Sequence, residues 1–132
     1  MKLIDTVVMM AGLDTADPLH ERGFEHLGNI SVEDDVFVPS ICILEFDVVA
    51  KSSRIGDRER SAVYSKLLRF IPSNKILSLN IEIMKRACEL MPVVKGRSKY
   101  FDTMIAAFAL EYGAEIISTD RRFEKLGVKT IW

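Results

Sequence analysis

Asp5, Glu45, Asp102 and Asp120 each stand at the seam between an apolar run and the segment beside it. In a chain of alternating strands and helices those seams share one edge of the sheet, so four acids far apart in sequence are expected to converge. Two carboxylates about 4 Å apart repel by roughly 4 kcal/mol at an effective dielectric near 20. A cluster of them needs a neutralising partner, and a divalent cation is the usual one. The chemistry this points to is metal-assisted hydrolysis of a phosphate ester. An all-oxygen donor set suits Mg²⁺ or Mn²⁺ rather than zinc.

The four acids differ in what else explains them. Asp5 closes the apolar opening Leu3-Ile4, and Asp120 follows Glu115-Ile116-Ile117-Ser118-Thr119; either one alone also serves as a cap for the next turn. Thr119 is placed to orient a carboxylate or to hold a water. Asp102 falls in the first turns of its helix, where the partial positive charge favours an anion. It shares a flank with Ala106 and Ala109, while Phe101, Ile105, Phe108 and Tyr112 form the expected core stripe. Glu45 is the sharpest anomaly, because it interrupts Ile41-Cys42-Ile43-Leu44 and Phe46, and a charge on so apolar a helix calls for a partner or a metal. Asp47, about 200° further around that helix, reads as solvated.

Other chemistries lack their residues. His20 and His26 are six apart, on different helix faces and away from the acids, which leaves Ser-His-Asp and Cys-His catalysis without support. There is no glycine-rich phosphate loop. Cys42 and Cys88 lack C-x-x-C spacing and read as buried thiols rather than a disulfide or zinc site. A phosphoacceptor receiver domain needs paired acids after its first strand and a lysine after its last. A haloacid-dehalogenase-like phosphatase needs an aspartate at position 7, where Val7 stands.

The elements that must position the acids follow from turn signals and periodicity. A strand is expected over residues 2–5, then a turn or brief helix over 7–13. Asp17-Pro18 starts a helix carrying Leu19, Phe24 and Leu27, with Gly28 as its stop. A short β run over 36–38 leads through Pro39 into a helix over 41–52 capped by Ser40. Another helix runs from Gly56-Asp57 to about Phe70, striped by Val63, Leu67 and Phe70. Residues 75–79 form a strand candidate, Asn80 caps a helix over 81–91, and Lys95-Gly96-Arg97-Ser98-Lys99 is a basic loop. A helix capped near Ser98 ends at Tyr112-Gly113, followed by a strand over 115–118, a helical turn over 121–126 and a last strand over 128–132. Such alternation implies an α/β fold, a parallel sheet covered on both faces by helices.

Length and composition agree. The chain has 132 residues, suited to one domain with one core, and is 48% hydrophobic. No apolar run approaches the roughly 20 residues that span a bilayer. The short N-terminal run carrying Asp5 makes a poor signal peptide, so a cytoplasmic location is expected. The net charge of −1 hides an asymmetry: residues 1–47 hold ten acids and two bases, whereas residues 48–132 hold nine acids and sixteen bases. Ordinary solvated faces account for that, as does a basic surface beside an acidic site, which a phosphate-backbone substrate would need.

The acids in their settings resemble the PIN-domain ribonucleases, and especially the small VapC-type toxins. The resemblance covers nearly the whole chain. It is carried by Leu3-Ile4-Asp5-Thr6, by Pro39-Ser40 through Leu44-Glu45, by Phe101-Asp102-Thr103 with Ala106-Ala107-Phe108-Ala109-Leu110, and by Gly113-Ala114-Glu115-Ile116-Ile117-Ser118-Thr119-Asp120 with Phe123. There are two departures. Val7 stands where the family often has a small polar residue, and Arg122 stands where many members have a further acid, which bears on a second metal position.

The resemblance implies a three-layer α/β/α sandwich with a central parallel sheet. It also implies one or two Mg²⁺ or Mn²⁺ ions held by Asp5, Asp102 and Asp120, with Glu45 as a further ligand or as the group orienting the attacking water. Thr6 and Thr119 would support them. The implied reaction is endonucleolytic cleavage of single-stranded or structured RNA to a 5′-phosphate and a 3′-hydroxyl. The implied partners are a small antitoxin protein and a second copy of the chain, with no membrane. A housekeeping RNA-processing PIN nuclease and a non-catalytic RNA- or protein-binding module are the alternatives. Lys95, Arg97, Lys99, Arg121 and Arg122 flank Asp102 and Asp120 in sequence and are candidates to grip RNA phosphates, with ordinary loop solvation as the plain alternative.

If Arg97 grips a phosphate, Arg97→Ala weakens RNA binding and lowers the slope of log affinity against log salt by about 1. Filter binding across a salt series measures both, and no change in either removes Arg97 from the interface.

Overall fold

Among the described residues, five short strands pair side by side, all parallel: β1 (Lys2–Ile4), β2 (Val36–Pro39), β3 (Ile76–Leu77), β4 (Glu115–Ile117) and β5 (Thr130–Ile131), in the order β3-β2-β1-β4-β5. The computed structural model describes residues 1–93 and 100–132. Lys95, Arg97, Lys99 and the Ser98 cap therefore lie outside the described residues. Among the described residues, six helices flank the sheet: α1 (Thr6–Leu13), α2 (His20–Ile30), α3 (Ser40–Ser52), α4 (Asp57–Leu67), α5 (Ile81–Leu90) and α6 (Tyr100–Tyr112). This is the α/β/α architecture the alternation implied. Leu3, Ile4, Val36, Val38 and Ile116 are fully or almost fully buried, as strands covered on both faces require. No described helix is long and apolar enough to cross a membrane.

Helices α1 and α2 meet at backbone distance. A Cβ on Gly12 would lie 2.9 Å from the Gly23 carbonyl carbon and 2.5 Å from Leu27 Cδ1, and one on Gly23 would lie 2.7 Å from the Gly12 nitrogen. Two facing glycines thus set the separation of the pair and fix where α1 leaves Asp5. Helix α6 is buried nearly all round, at every residue from 103 to 109. The expected stripe on it is therefore corrected at its ends: Ile105 and Phe108 are core, but Phe101 is half-buried and Tyr112 is 40% exposed. Gly113 ends α6 with φ +60°, a conformation glycine adopts without steric cost.

Several boundaries move for local reasons. Asp17 accepts a hydrogen bond from the Leu19 N–H at 2.7 Å, which makes a turn of Asp17-Pro18 and delays α2 to His20. Gly28 does not stop α2, which runs on to Ile30. Ser40 is the first residue of α3 rather than its cap, and its hydroxyl instead accepts from the Leu79 N–H at 3.0 Å, tying down the chain after β3. Helix α4 ends at Leu67, short of Phe70, where a turn closes from the Phe70 N–H to the Leu67 carbonyl. Strand β3 is two residues, because Lys75 sits in a 3₁₀ turn with its ammonium on the Glu33 carbonyl at 2.7 Å. Asn80 does cap α5, accepting from the Ile83 N–H at 2.9 Å. Cys42 is buried as expected, but Cys88 is exposed, one residue around α5 from buried Ala87.

Gly12→Ala is expected to cost about 1–3 kcal/mol by forcing α1 and α2 apart. Gly28→Ala, where an added Cβ meets nothing within 4 Å, is expected to stabilise by about 0.5–1 kcal/mol. Urea unfolding of both variants tests the helix contact, and like-signed effects refute it.

Candidate functional site

Strand register makes the site. Ile4 on β1 pairs with Ile117 on β4, so the next residues, Asp5 and Ser118, emerge level at the same sheet edge. The Asp5 N–H closes on the Ile117 carbonyl at 3.2 Å, and the Ser118 hydroxyl donates to Asp5 Oδ2 at 2.6 Å. The other carboxylate oxygen of Asp5 accepts from the Thr6 N–H at 2.7 Å and caps α1. Asp5 is thus both the helix cap that its position suggested and a carboxylate held at the centre of the sheet edge. It is only 7% exposed.

Burial pushes the Asp5 carboxyl up to about 6, against the opposing pull of the hydrogen bonds from Ser118 and Thr6, and repulsion from Glu45 and Asp102 adds to the rise. Glu45 reaches the same place from α3. Its carboxylate takes a hydrogen bond from the Thr6 hydroxyl. It too is raised, first by burial, with repulsion from Asp102 adding while the Thr6 bond opposes. Asp5, Glu45 and Asp102 therefore share one electrostatic environment, although they come from three separate elements. Beneath them Cys42 is fully buried, with its thiol on the Ile4 carbonyl at 3.3 Å.

Asp120 joins through two links. Its N–H donates to the Ser118 hydroxyl at 3.0 Å, the same hydroxyl that holds Asp5. Its carboxylate caps the 3₁₀ turn Arg121–Leu126, accepting from the Arg122 N–H at 2.9 Å. Arg122 then folds back over the acids: Nε lies 2.6 Å from Asp120 Oδ2 and Nη2 lies 3.2 Å from Asp102 Oδ2, with Nη2 also on Asp120. The bond to Asp120 is the main cause of the raised Arg122 pKa, with attraction to Asp102, Asp120 and Asp5 adding. Arg122, expected to face a substrate phosphate, is instead turned into the acidic cluster.

The other candidates disperse. Thr119 is exposed and, with Arg121, Glu124, Thr130, Ile131 and Trp132, lines a hollow of about 300 Å³ that meets the acids through Ser118. Asp47 is partly exposed, as its position suggested, but it also accepts from the Tyr64 hydroxyl at 3.0 Å and pairs with Arg60 at 3.2 Å, joining α3 to α4. Ser118 lies in the stretch that carries the resemblance, but the sequence alone gives it no role. What would have found it is the register, since it is the residue opposite Asp5. The donor chemistry, carboxylates and hydroxyls only, fits a hard divalent cation. Among the described residues, though, no three acidic, histidine or cysteine side chains are drawn into a ready-made metal cage.

The family model described as "PIN domain" matches residues 2–129. No curated protein matches the sequence significantly. Among solved structures, the chain is similar to FitAcB from Neisseria gonorrhoeae, with 17% identity, TM-score 0.75 and coverage of 100% of this chain and 97% of that one. It is also similar to VapBC2 from Rickettsia felis, solved bound to a promoter DNA fragment, with 14% identity, TM-score 0.71 and coverage of 99% and 98%. A toxin–antitoxin complex from Klebsiella pneumoniae gives 18% identity, TM-score 0.63 and coverage of 100% and 97%.

A raised carboxyl has a defined sign. Between its unfolded value near 4 and its folded value of about 6, Asp5 binds its proton more tightly in the folded state. Its contribution to stability therefore falls as pH rises through that window, leaving the ionised site under strain above it. Asp5→Asn removes the strain. Without metal, the stability of this variant relative to the parent is expected to rise between pH 4 and 7.5, by up to about 3 kcal/mol. Urea midpoints at the two pH values check this, and a pH-independent difference contradicts it.

Proposed function

We propose that this chain, which belongs to the PIN-domain family, is a divalent-metal-dependent endoribonuclease and the toxin of a toxin–antitoxin pair. The observation that carries the reading is the buried Asp5 carboxylate repelled by Glu45 and Asp102 at the open edge of the sheet. Carboxyls raised by burial and by like-charged neighbours cluster at functional sites. Asp5, Asp102 and Asp120 are the residues that would hold Mg²⁺ or Mn²⁺. The chemistry the ion supplies when bound is a water acidified toward neutral pH and neutralisation of charge on the phosphoryl oxygens.

The chain's own residues do the rest. Ser118 fixes one oxygen of Asp5 and the Thr6 N–H fixes the other, so the carboxylate presents in one orientation. The Thr6 hydroxyl fixes Glu45, whose raised proton affinity suits it to orient the attacking water and take its proton. Arg121, exposed in the hollow that Ser118 and Thr119 help to line, meets the RNA phosphates, while Arg122 lies on Asp102 and Asp120. A small antitoxin protein as partner is supported by the likeness to a structure named as a toxin–antitoxin complex, and a homodimer is the assembly proposed with it.

Purified protein is expected to cleave single-stranded RNA with Mg²⁺ or Mn²⁺. Asp5→Asn and Asp102→Asn are expected to lower the rate by about 100-fold or more while keeping the parent's circular dichroism. Full activity in excess EDTA rules the mechanism out. Growth arrest on expression, relieved by a cognate antitoxin, is the expected sign of a toxin rather than an RNA-processing enzyme.

A further inference from the structure

Arg122 sits where a cation is needed. Its guanidinium bridges Asp120, through Nε at 2.6 Å, and Asp102, through Nη2 at 3.2 Å. Those are two of the three carboxylates assigned above to the metal. The two acids are largely covered, with side chains 24% and 16% exposed, whereas the Arg122 side chain is 49% exposed. The guanidinium therefore closes the cluster from the solvent side and is the part free to leave. Its attachment is local: Arg122 lies two residues after Asp120, whose other oxygen caps the Arg122 N–H, so the clamp re-forms without any movement of the sheet.

A guanidinium and a divalent ion on the same two carboxylates exclude each other by charge and by space. A guanidinium also takes phosphate in a two-point geometry as readily as it takes carboxylate. A phosphodiester backbone arriving at the sheet edge offers Arg122 an alternative partner and draws its guanidinium off Asp102 and Asp120.

We propose that Arg122 is a tethered competitor of the metal ion, holding Asp102 and Asp120 until a substrate phosphate takes the guanidinium. The inference rests on the nuclease reading above and assigns to that site a substrate-coupled loading step. Binding is reciprocal in such a scheme: the oligonucleotide tightens metal binding, and metal tightens oligonucleotide binding, both through Arg122.

The test is Mn²⁺ affinity, read by electron paramagnetic resonance of the free ion, for the parent, Arg122→Gln and Arg122→Lys, with and without a single-stranded 2′-O-methyl oligonucleotide. Expected is Mn²⁺ binding at least tenfold tighter in Arg122→Gln than in the parent, with Arg122→Lys between them. The oligonucleotide should tighten binding to the parent several-fold and leave Arg122→Gln unchanged. Equal Mn²⁺ affinity in parent and Arg122→Gln overturns the competition while the nuclease reading stands. Tighter binding in Arg122→Gln with no oligonucleotide effect on the parent overturns the coupling to substrate. No Mn²⁺ binding by any of the three proteins overturns the inference and the nuclease reading together.

Discussion

Like charges brought together out of water are the constraint around which the rest of this molecule is arranged. Asp5 is buried, Glu45 and Asp102 repel it, and burial and repulsion together lift its carboxyl far above the usual aspartate range. Two hydroxyls and a backbone N–H partly compensate. They hold the oxygens in place without neutralising them. Among the described residues, the Arg122 side chain lies on Asp102 and Asp120 and offsets part of that negative charge.

Such an arrangement survives only if its supports are rigid. The parallel sheet provides the rigidity, because β1 lies at its centre and is paired on both sides, with β2 and β4. Asp5 leaves the end of that central strand, and Ser118 leaves the end of its neighbour in register. The flanking helices bring the remaining acids to the same edge: Glu45 near the start of α3, and Asp102 in the first turn of α6. Packing of Gly12 against Gly23 fixes α1, which carries Thr6, whose hydroxyl steadies Glu45. A change in helix packing would therefore reach the electrostatics of the site through Thr6, by its hydroxyl on Glu45 and its N–H on Asp5.

The positive half of the chain enters the site in two ways. Arg121 and Arg122 are adjacent in sequence, yet the 3₁₀ turn sends one toward the hollow beside Trp132 and the other over the acids. Charge counting places both on a basic surface; the backbone gives them different partners. Asp47 makes the same point with the opposite sign. It lies on the helix that carries Glu45, two residues on, and spends its charge on Arg60 and Tyr64 as a link between helices.

Much was legible in the sequence because it is local or periodic. The order of strands and helices, the Asn80 cap, the glycine end of α6 and the placing of each acid at a seam all follow from short-range rules of propensity and capping. The same rules erred where a tertiary partner outbid the local one. Gly28 lies inside a helix held by packing, and Ser40 serves a distant N–H rather than its own helix. Burial on α6 spread from a stripe to nearly its whole circumference. Ser118, the Arg122 bridge and the Gly12–Gly23 contact were out of reach for one reason: each depends on which residues come level across strands or between helices. Spacing along one chain carries no information about that. The sequence by itself determined that acids would gather at one sheet edge; the register of β1 with β4 and the course of one 3₁₀ turn decided which groups hold them there.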